Sequence, residues 1–383
     1  MGNPGQVEVT IVTPPALVCR SSGRWLVAGL AASGLSCLLA PGPALTAADA
    51  IPAAFTMAGA YAPPEPSWSP DGKQLAFTVA TAGGERCMIY KVNLSTGKAQ
   101  ALCPGAFPSW SPQGGQIALV HKGDLYVVPA GGGPARRLGG PVWTDNSLLA
   151  WSPDGRQIAF QKTFRWSQGA SNVFCGEVCV AEAASGKARQ LTRLKETFPA
   201  DAYQQNADVV GWLPGSEEVV VNLPANPRGP AGVYAVDQEG RTRLLCEGVY
   251  CRSVSPDGKR LVGMRYHQAG ADLVMATLPA APRVLRVFTD RPPWRLVVSW
   301  AERIAIGAGR LGSGAQSTYA LTRFDLASDA SKVLTATGCY EGAPALSPDG
   351  LRLAFYRHAQ GKSGLFVMRA DGQQATWVAA CQK

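Results

Sequence analysis

Histidine is scarce in this chain: three residues in 383, at His121, His267 and His358. No paired Cys-x-x-Cys motifs occur at the spacing a structural zinc site needs, which excludes a zinc-stabilised fold. The Gly-x-Ser-x-Gly nucleophile elbow is missing as well. Gly312-Ser313-Gly314 lacks the glycine two places before the serine, and this removes a serine-hydrolase centre of that type. The apolar stretch Trp25–Leu39 is about fifteen residues long, short of the roughly 20 that cross a bilayer, so no stable membrane span is expected in the mature chain. Nor is there a basic amphipathic helix to lie on a membrane surface.

What is present points to many tight turns around a large apolar core. Hydrophobic residues make up 46% of the chain, and 43 Gly and 29 Pro punctuate it at turn-like intervals, a mix that suits a repetitive all-β protein. The formal charge is +9, and Arg20 and Arg24 cancel Glu8 and Asp49 within the first fifty residues, so the excess lies in the remainder. Such a surface favours acidic partners or serves solubility. Residues 1–50 read as a secretory leader: Arg20 and Arg24, then the apolar stretch, then small residues up to Ala48 and Ala50, where cleavage is expected. Residues 51–65 form a separate N-terminal segment. Export predicts a periplasmic or secreted protein, which disfavours nucleic acid as a partner.

Cysteine usage agrees with an oxidising compartment. Eight cysteines follow the leader, and an even count reads first as disulfides. Cys87 and Cys103 are equidistant from the centre of Asn93-Leu-Ser-Thr-Gly97, so a symmetric hairpin would set them opposite each other, within bonding range. Cys246 and Cys251 bracket a short turn, and Cys339 with Cys381 would tie the last repeat to its predecessor. A Cys175–Cys179 bond would need a kink at Gly176, because four residues of strand span roughly 13 Å.

Internal repetition governs the reading. Trp68-Ser-Pro-Asp-Gly72 recurs at Trp110, Trp151, Trp212, Val254 and Leu346 with small changes, and in each copy an apolar strand begins seven residues after the lead position. Trp300 is a seventh lead that has lost its Pro-Asp-Gly turn. Leads fall 42, 41, 61, 42, 46 and 46 residues apart, close to the blade length of WD-type propellers. Each copy supplies four short strands, so the expected fold is an all-β propeller of seven four-stranded blades, with six as the alternative. The blades are expected at about 66–107, 108–149, 150–207, 208–250, 251–295, 296–343 and 344–383, the third carrying the largest insertion; residues 51–65 could add a strand to the last. In the turn, proline fixes φ, aspartate bonds nearby backbone N–H groups and glycine takes positive φ. Asp71, Gly72, Asp154, Gly155, Asp257, Gly258, Asp349 and Gly350 are therefore structural. The leads Trp68, Trp110, Trp151, Trp212 and Trp300 should pack between blades, since one sheet cannot bury both its faces alone.

Trp-Ser-Pro-Asp-Gly followed by a Leu/Ile-Ala-Phe strand, as in Trp68–Phe77 and Trp151–Phe160, resembles the TolB-like propeller repeats over about residues 66–383. The resemblance implies export and a platform that binds partner proteins. TolB itself has an α/β domain before a six-bladed propeller, whereas about fifteen residues separate leader and repeats here and seven copies are counted. The repeat is also similar to that of the propellers gating prolyl-oligopeptidase-type enzymes, but no hydrolase domain is recognised, and to that of oligogalacturonate lyases. The last implies, as the alternative, a metal-dependent lyase of acidic oligosaccharides. With the three histidines on blades 2, 5 and 7, too far apart to share one ion, no metal site and no cofactor are expected.

Ligands usually meet the propeller face where second and third strands join and successive blades connect. At the ends of the second strands lie His121, Lys122, Lys162, Phe164, Arg165, Trp166, Asn226, Arg228, Arg265, Tyr266, His267, Arg310, Tyr356, Arg357 and His358. The inter-blade loops add Arg193, Lys195, Tyr203, Arg291, Trp294, Arg295 and Tyr340. Arginine offers bidentate hydrogen bonds and aromatics offer stacking area, so this face is the expected docking surface for another envelope protein or an anionic ligand. Solvated strand ends also collect such residues without any function.

Overall fold

The computed structural model describes residues 9–10, 55–56, 65–80, 87–142, 149–168, 171–194, 205–226, 229–278, 282–288, 292–293, 295–311, 318–328, 330–335, 340–359 and 362–380. Seven four-stranded antiparallel sheets follow one another along the chain: an all-β, seven-bladed propeller. Every blade is built from consecutive strands, blade 1 from Ser67–Trp68 to Ala99–Pro104 and blade 7 from Tyr340–Leu346 to Thr376–Ala380. Phe55–Thr56 pairs in parallel with Val9–Thr10 and with no blade. Blade 3 is the exception in size. Its middle strands, Gln157–Gln168 and Ser171–Glu182, pair over their whole length, and Gln205–Asn206 adds a parallel fifth strand at Cys175–Gly176.

Seven apolar clusters account for the core, one at each junction between adjacent blades. Strand alternation explains this arrangement: Leu75 and Phe77 face blade 7, whereas Ala76 and Ile89 face blade 2. The junction of blades 1 and 7 is built like the others, from Trp68, Leu75, Phe77 and Val79 against Tyr356, Leu365 and Val367. Among the described residues no strand is exchanged across it.

The lead tryptophans link blades in a fixed way. Apart from that of Trp110, each lead indole N–H donates to the residue just before the lead of the preceding blade: Trp151 to the Ser109 carbonyl and Trp212 to the Ala150 carbonyl, each at 2.9 Å, and Trp68 to the Ala345 carbonyl at 2.9 Å. Trp300 donates to Ser253 Oγ at 2.9 Å, so it occupies the lead position although its turn is short. Trp110 departs from the pattern; its indole bonds the Gly114 carbonyl, while its backbone N–H donates to Ser67 Oγ at 2.8 Å.

The Ser-Pro-Asp-Gly turns interlock in the same direction. Ser69 Oγ donates to Asp71 Oδ1 at 2.6 Å and accepts from the Gln74 N–H at 2.9 Å, while Asp71 Oδ1 accepts from the Lys73 N–H at 3.0 Å. The set recurs at Ser152–Asp154, Ser255–Asp257 and Ser347–Asp349. Gly155 shows why the last residue must be glycine: φ is +70°, and a Cβ there would lie 2.7 Å from Gln113 Cγ of blade 2.

The expected disulfides do not form among the described cysteines, which are all free thiols. The blade 1 hairpin is offset by one residue, with Val92 opposite Ala99, and a bulge between Ile89 and Tyr90 adds a second, so Cys103 stands opposite Ile89, and the Cys87 carbonyl accepts instead from the Gly105 N–H. Cys103 joins the cluster towards blade 2, and Cys87 packs against the cluster towards blade 7. Cys246 and Cys251 share the junction of blades 4 and 5, where burial pushes the Cys251 thiol up to about 12. Cys175 and Cys179 point into different junctions. Cys339 and Cys381 lie outside the described residues.

Candidate functional site

Antiparallel order gives the ring two unlike faces. First strands run away from the inter-blade connections and second strands return, so the Pro-Asp-Gly turns occupy one face. The hairpins joining second and third strands share the other with the blade connections. The described strand-end residues expected to bind lie towards this second face.

The structure treats them unequally. On blade 5, Arg265 Nη2 lies 2.7 Å from Asp272 Oδ2 and His267 Nε2 lies 3.3 Å from Asp272 Oδ1. The hydrogen bond from Arg265 holds the Asp272 carboxyl below the ordinary carboxylate range despite some burial. Tyr266 between them is exposed. His121 closes the second strand of blade 2 and meets Tyr126 edge-on, ring centres 5.8 Å apart. Lys162 stands opposite Glu177 and bridges to Val142. Phe164, Arg165 and Trp166 lie in the outer half of the blade 3 hairpin, opposite Cys175, Phe174 and Val173. Arg310 stands opposite Tyr319, and His358 opposite Tyr340 and Ser363. Arg228, Lys195, Tyr203, Arg291 and Trp294 lie outside the described residues.

Two of the expected residues turn inward. Tyr356 is buried in the junction of blades 7 and 1. Arg357 Nε lies 2.6 Å from Glu341 Oε1, and its guanidinium covers the Phe366 ring at 4.7 Å. With Arg357 11% and Glu341 0% exposed, this pair belongs to the interior. The strand-end rule fails here because Glu341, on the adjacent innermost strand, supplies the partner that makes burial of a guanidinium tolerable.

The built polar site is one the sequence reading passed over except for Arg295, expected there as an inter-blade loop residue. A cavity of about 400 Å³ occupies the central channel, lined by the innermost strands of blades 1, 4, 5, 6 and 7. Its charged side chains are Glu65, Asp208, Arg252 and Arg295. Asp208, Tyr250 and Arg295 each open the innermost strand of their blade, and Glu65 lies two residues before that of blade 1. Tyr250 Oη donates to Asp208 Oδ2 at 2.6 Å, and Gln161 of blade 3 lies near the same carboxyl. Burial raises the Asp208 carboxyl above its usual range against these two groups and the nearby Arg252 charge, and burial likewise raises the Tyr250 phenol. Arg252 lies over the Tyr250 ring at 4.6 Å. Arg295 Nη1 approaches Glu65 Oε1 at 3.4 Å. Asn222 both donates to and accepts from the backbone of Cys251, at 3.0 and 2.7 Å, tying blade 4 to blade 5. The available signal was a polar residue opening an otherwise apolar innermost strand, as in Asp208-Val-Val.

Neither protein-family models nor curated protein sequences match this chain. Among solved structures it is similar to an oligogalacturonate lyase in complex with manganese, at 16% identity over 80% of this chain and 88% of that one, TM-score 0.59. It is also similar to the β-propeller domain of the Trilobed protease from Pyrococcus furiosus, which has an open velcro topology, at 13% identity over 82% and 94%, TM-score 0.58. TolB from Acinetobacter baumannii matches more loosely, at 13% identity over 79% and 63%, TM-score 0.41. What the first two share with the chain is the propeller, a fold that hosts many functions.

Proposed function

We propose that this protein is an exported binding platform of the cell envelope, whose connection face and channel mouth receive an envelope protein or an anionic ligand. The observation that carries the reading is the division of labour between the faces. The repeated turns are consumed in linking blades, while the long blade 3 hairpin and the polar channel belong to the irregular part. The leader-like first fifty residues and the basic remainder support export and an acidic partner. Among the described residues no helix is long and apolar enough to cross a membrane.

Crosslinking and pull-down from the native envelope tests this reading, with Arg165→Ala, Trp166→Ala and Arg265→Ala compared with the unchanged chain. Loss of a captured species in these variants is expected. An unchanged set of captured proteins would show that this face is not the docking surface.

A metal-dependent lyase of acidic oligosaccharides is the second reading, and the fold likeness to an oligogalacturonate lyase is what favours it. A manganese centre needs several converging ligands. Among the described residues no three His, Cys, Asp or Glu side chains come together, and His121 and His267 stand on blades 2 and 5. These residues do not fit a manganese site, so no catalytic step is derived through one.

A further inference from the structure

The outer strands leave an open sheet edge on the wall of each blade among the described residues, and an open edge invites another strand unless something guards it. Six of the seven are guarded. Those of blades 3 and 6 are three residues long and that of blade 2 is four. Blade 1 ends its edge in Pro104, blade 4 places Glu247 there and holds Arg243 on Glu218 at 2.9 Å, and blade 7 keeps Trp377 and Val378 half-buried. The outer strand of blade 5, Arg283–Phe288, is different. It runs for six residues without proline, lysine or carboxylate, and Val284 and Val287 are both exposed, the latter at 54%. Its bulge recurs in blades 1, 4 and 7, so the bulge is not what sets it apart.

The two faces of this strand differ in chemistry. Val284 and Val287 stand opposite Val274 and Asp272, and Val274 packs into the junction with blade 4, so both valines face that way. Arg283 and Arg286 stand opposite Met275 and Leu273, which pack towards blade 6. Arg283 is spent on the Leu326 carbonyl at 3.1 Å. Arg286 is exposed and has no partner among the described residues. Asp272, the carboxylate on the valine face, is already held by Arg265 and His267.

We propose that this edge receives an extended segment of a partner protein in which acidic and aliphatic residues alternate, added as a further strand of blade 5. Backbone hydrogen bonds along the edge supply the affinity, and the side chains of the two faces select the sequence. Carboxylates of the incoming strand meet the Arg286 guanidinium on one face, and aliphatic side chains cover Val284 and Val287 on the other. A second copy of this chain fits less well, because pairing the edge with itself brings its arginines together, and like charges side by side oppose the pairing. The edge belongs to the outer wall of the ring, and the proposal does not require the connection face or the channel to bind anything.

Fluorescence anisotropy on the full chain tests it, with a labelled peptide of alternating Glu and Val and a control of alternating Lys and Val. Saturable binding of the acidic peptide alone is expected, with hydrogen exchange slowed across Arg283–Phe288. Arg286→Glu should weaken binding about tenfold or more, the loss expected for a charged hydrogen bond. Val287→Lys should weaken it as well; both side chains are exposed, and circular dichroism establishes that the variants are folded. A strand turns alternate N–H groups to opposite edges, so of two acidic probes N-methylated at one or the other set of amides, one should lose binding. No saturable binding, equal binding of the acidic and basic peptides, or unchanged affinity in Arg286→Glu overturns the proposal, as does binding kept by both methylated probes or slowed exchange confined to another strand. A dimer that Val287→Lys dissociates, with the acidic peptide unbound, assigns the edge to a second copy and overturns it too. The envelope pull-down compares variants that leave Arg286 and Val287 intact, so the two readings fail separately.

Discussion

The turn face and the connection face of this ring use the same kinds of side chain to opposite ends. On the turn face the side chains of Ser69, Asp71 and their counterparts bond within their own turn, the Asp154 N–H reaches Ser216 of blade 4, and Gly72 and Gly155 sit against the blade before. On the connection face the polar groups differ from blade to blade. Arg265 stays on the rim with Asp272, Arg357 is drawn inside by Glu341, and Arg252 lines the channel. Regularity therefore marks assembly, and departure from regularity marks where specificity can reside.

Substitutions test that contrast most strongly at the buried positions. Arg357→Ala leaves Glu341 buried without its partner and should cost about 3–5 kcal/mol, read from chemical denaturation midpoints. A similar loss of about 3–5 kcal/mol is expected for Trp212→Ala, which empties a junction and removes an indole bond to blade 3. A shift well under 1 kcal/mol in either variant would mean that the junctions do not hold the ring in this way. Gly155→Ala meets both positive φ and the side chain of Gln113, and should cost about 1–3 kcal/mol. Gly115→Ala, where a Cβ has open space, should leave stability near its original value.

Acid should act through the turns. Hydrogen bonds from Ser69, Ser152 and Ser255 are the leading causes that lower the Asp71, Asp154 and Asp257 carboxyls. A carboxyl lowered on folding contributes stability above its unfolded value of about 3.9, and this is lost as pH falls through the folded value. Thermal midpoints should drop below about pH 4, less steeply once the three are changed to Asn. A slope unaltered by that triple change would remove the turns from the account. Smallest of all, Arg265→Ala on the rim should shift stability by less than about 1 kcal/mol, while still altering capture in the envelope pull-down.

Much of this architecture was readable from residue order because a repeat states its rule several times. The seven-residue offset from lead to strand located six blades, and Trp300 alone located the sixth in chain order, its indole making the interblade bond without the usual turn. Single events stated once were not readable. A hairpin offset by one residue, with Val92 opposite Ala99, and then a bulge at Ile89 moved Cys103 away from Cys87, and nothing in the spacing announces either. The fate of Arg357 depended on Glu341, sixteen residues earlier and on a different strand. The channel was passed over for a related reason: Asp208, Tyr250 and Arg295 converge only once the ring is closed, and their separation in the chain carries no hint of it.

The join between blades 1 and 7 has a mechanical consequence. A propeller sealed by a shared strand resists opening through a ladder of backbone hydrogen bonds, whereas among the described residues this join is clasped by the Trp68 indole, by Arg352 reaching the Gly72 carbonyl, and by an apolar seam. Under tension such a clasp lets go as one cooperative patch, and it can re-form without any strand having to be rethreaded.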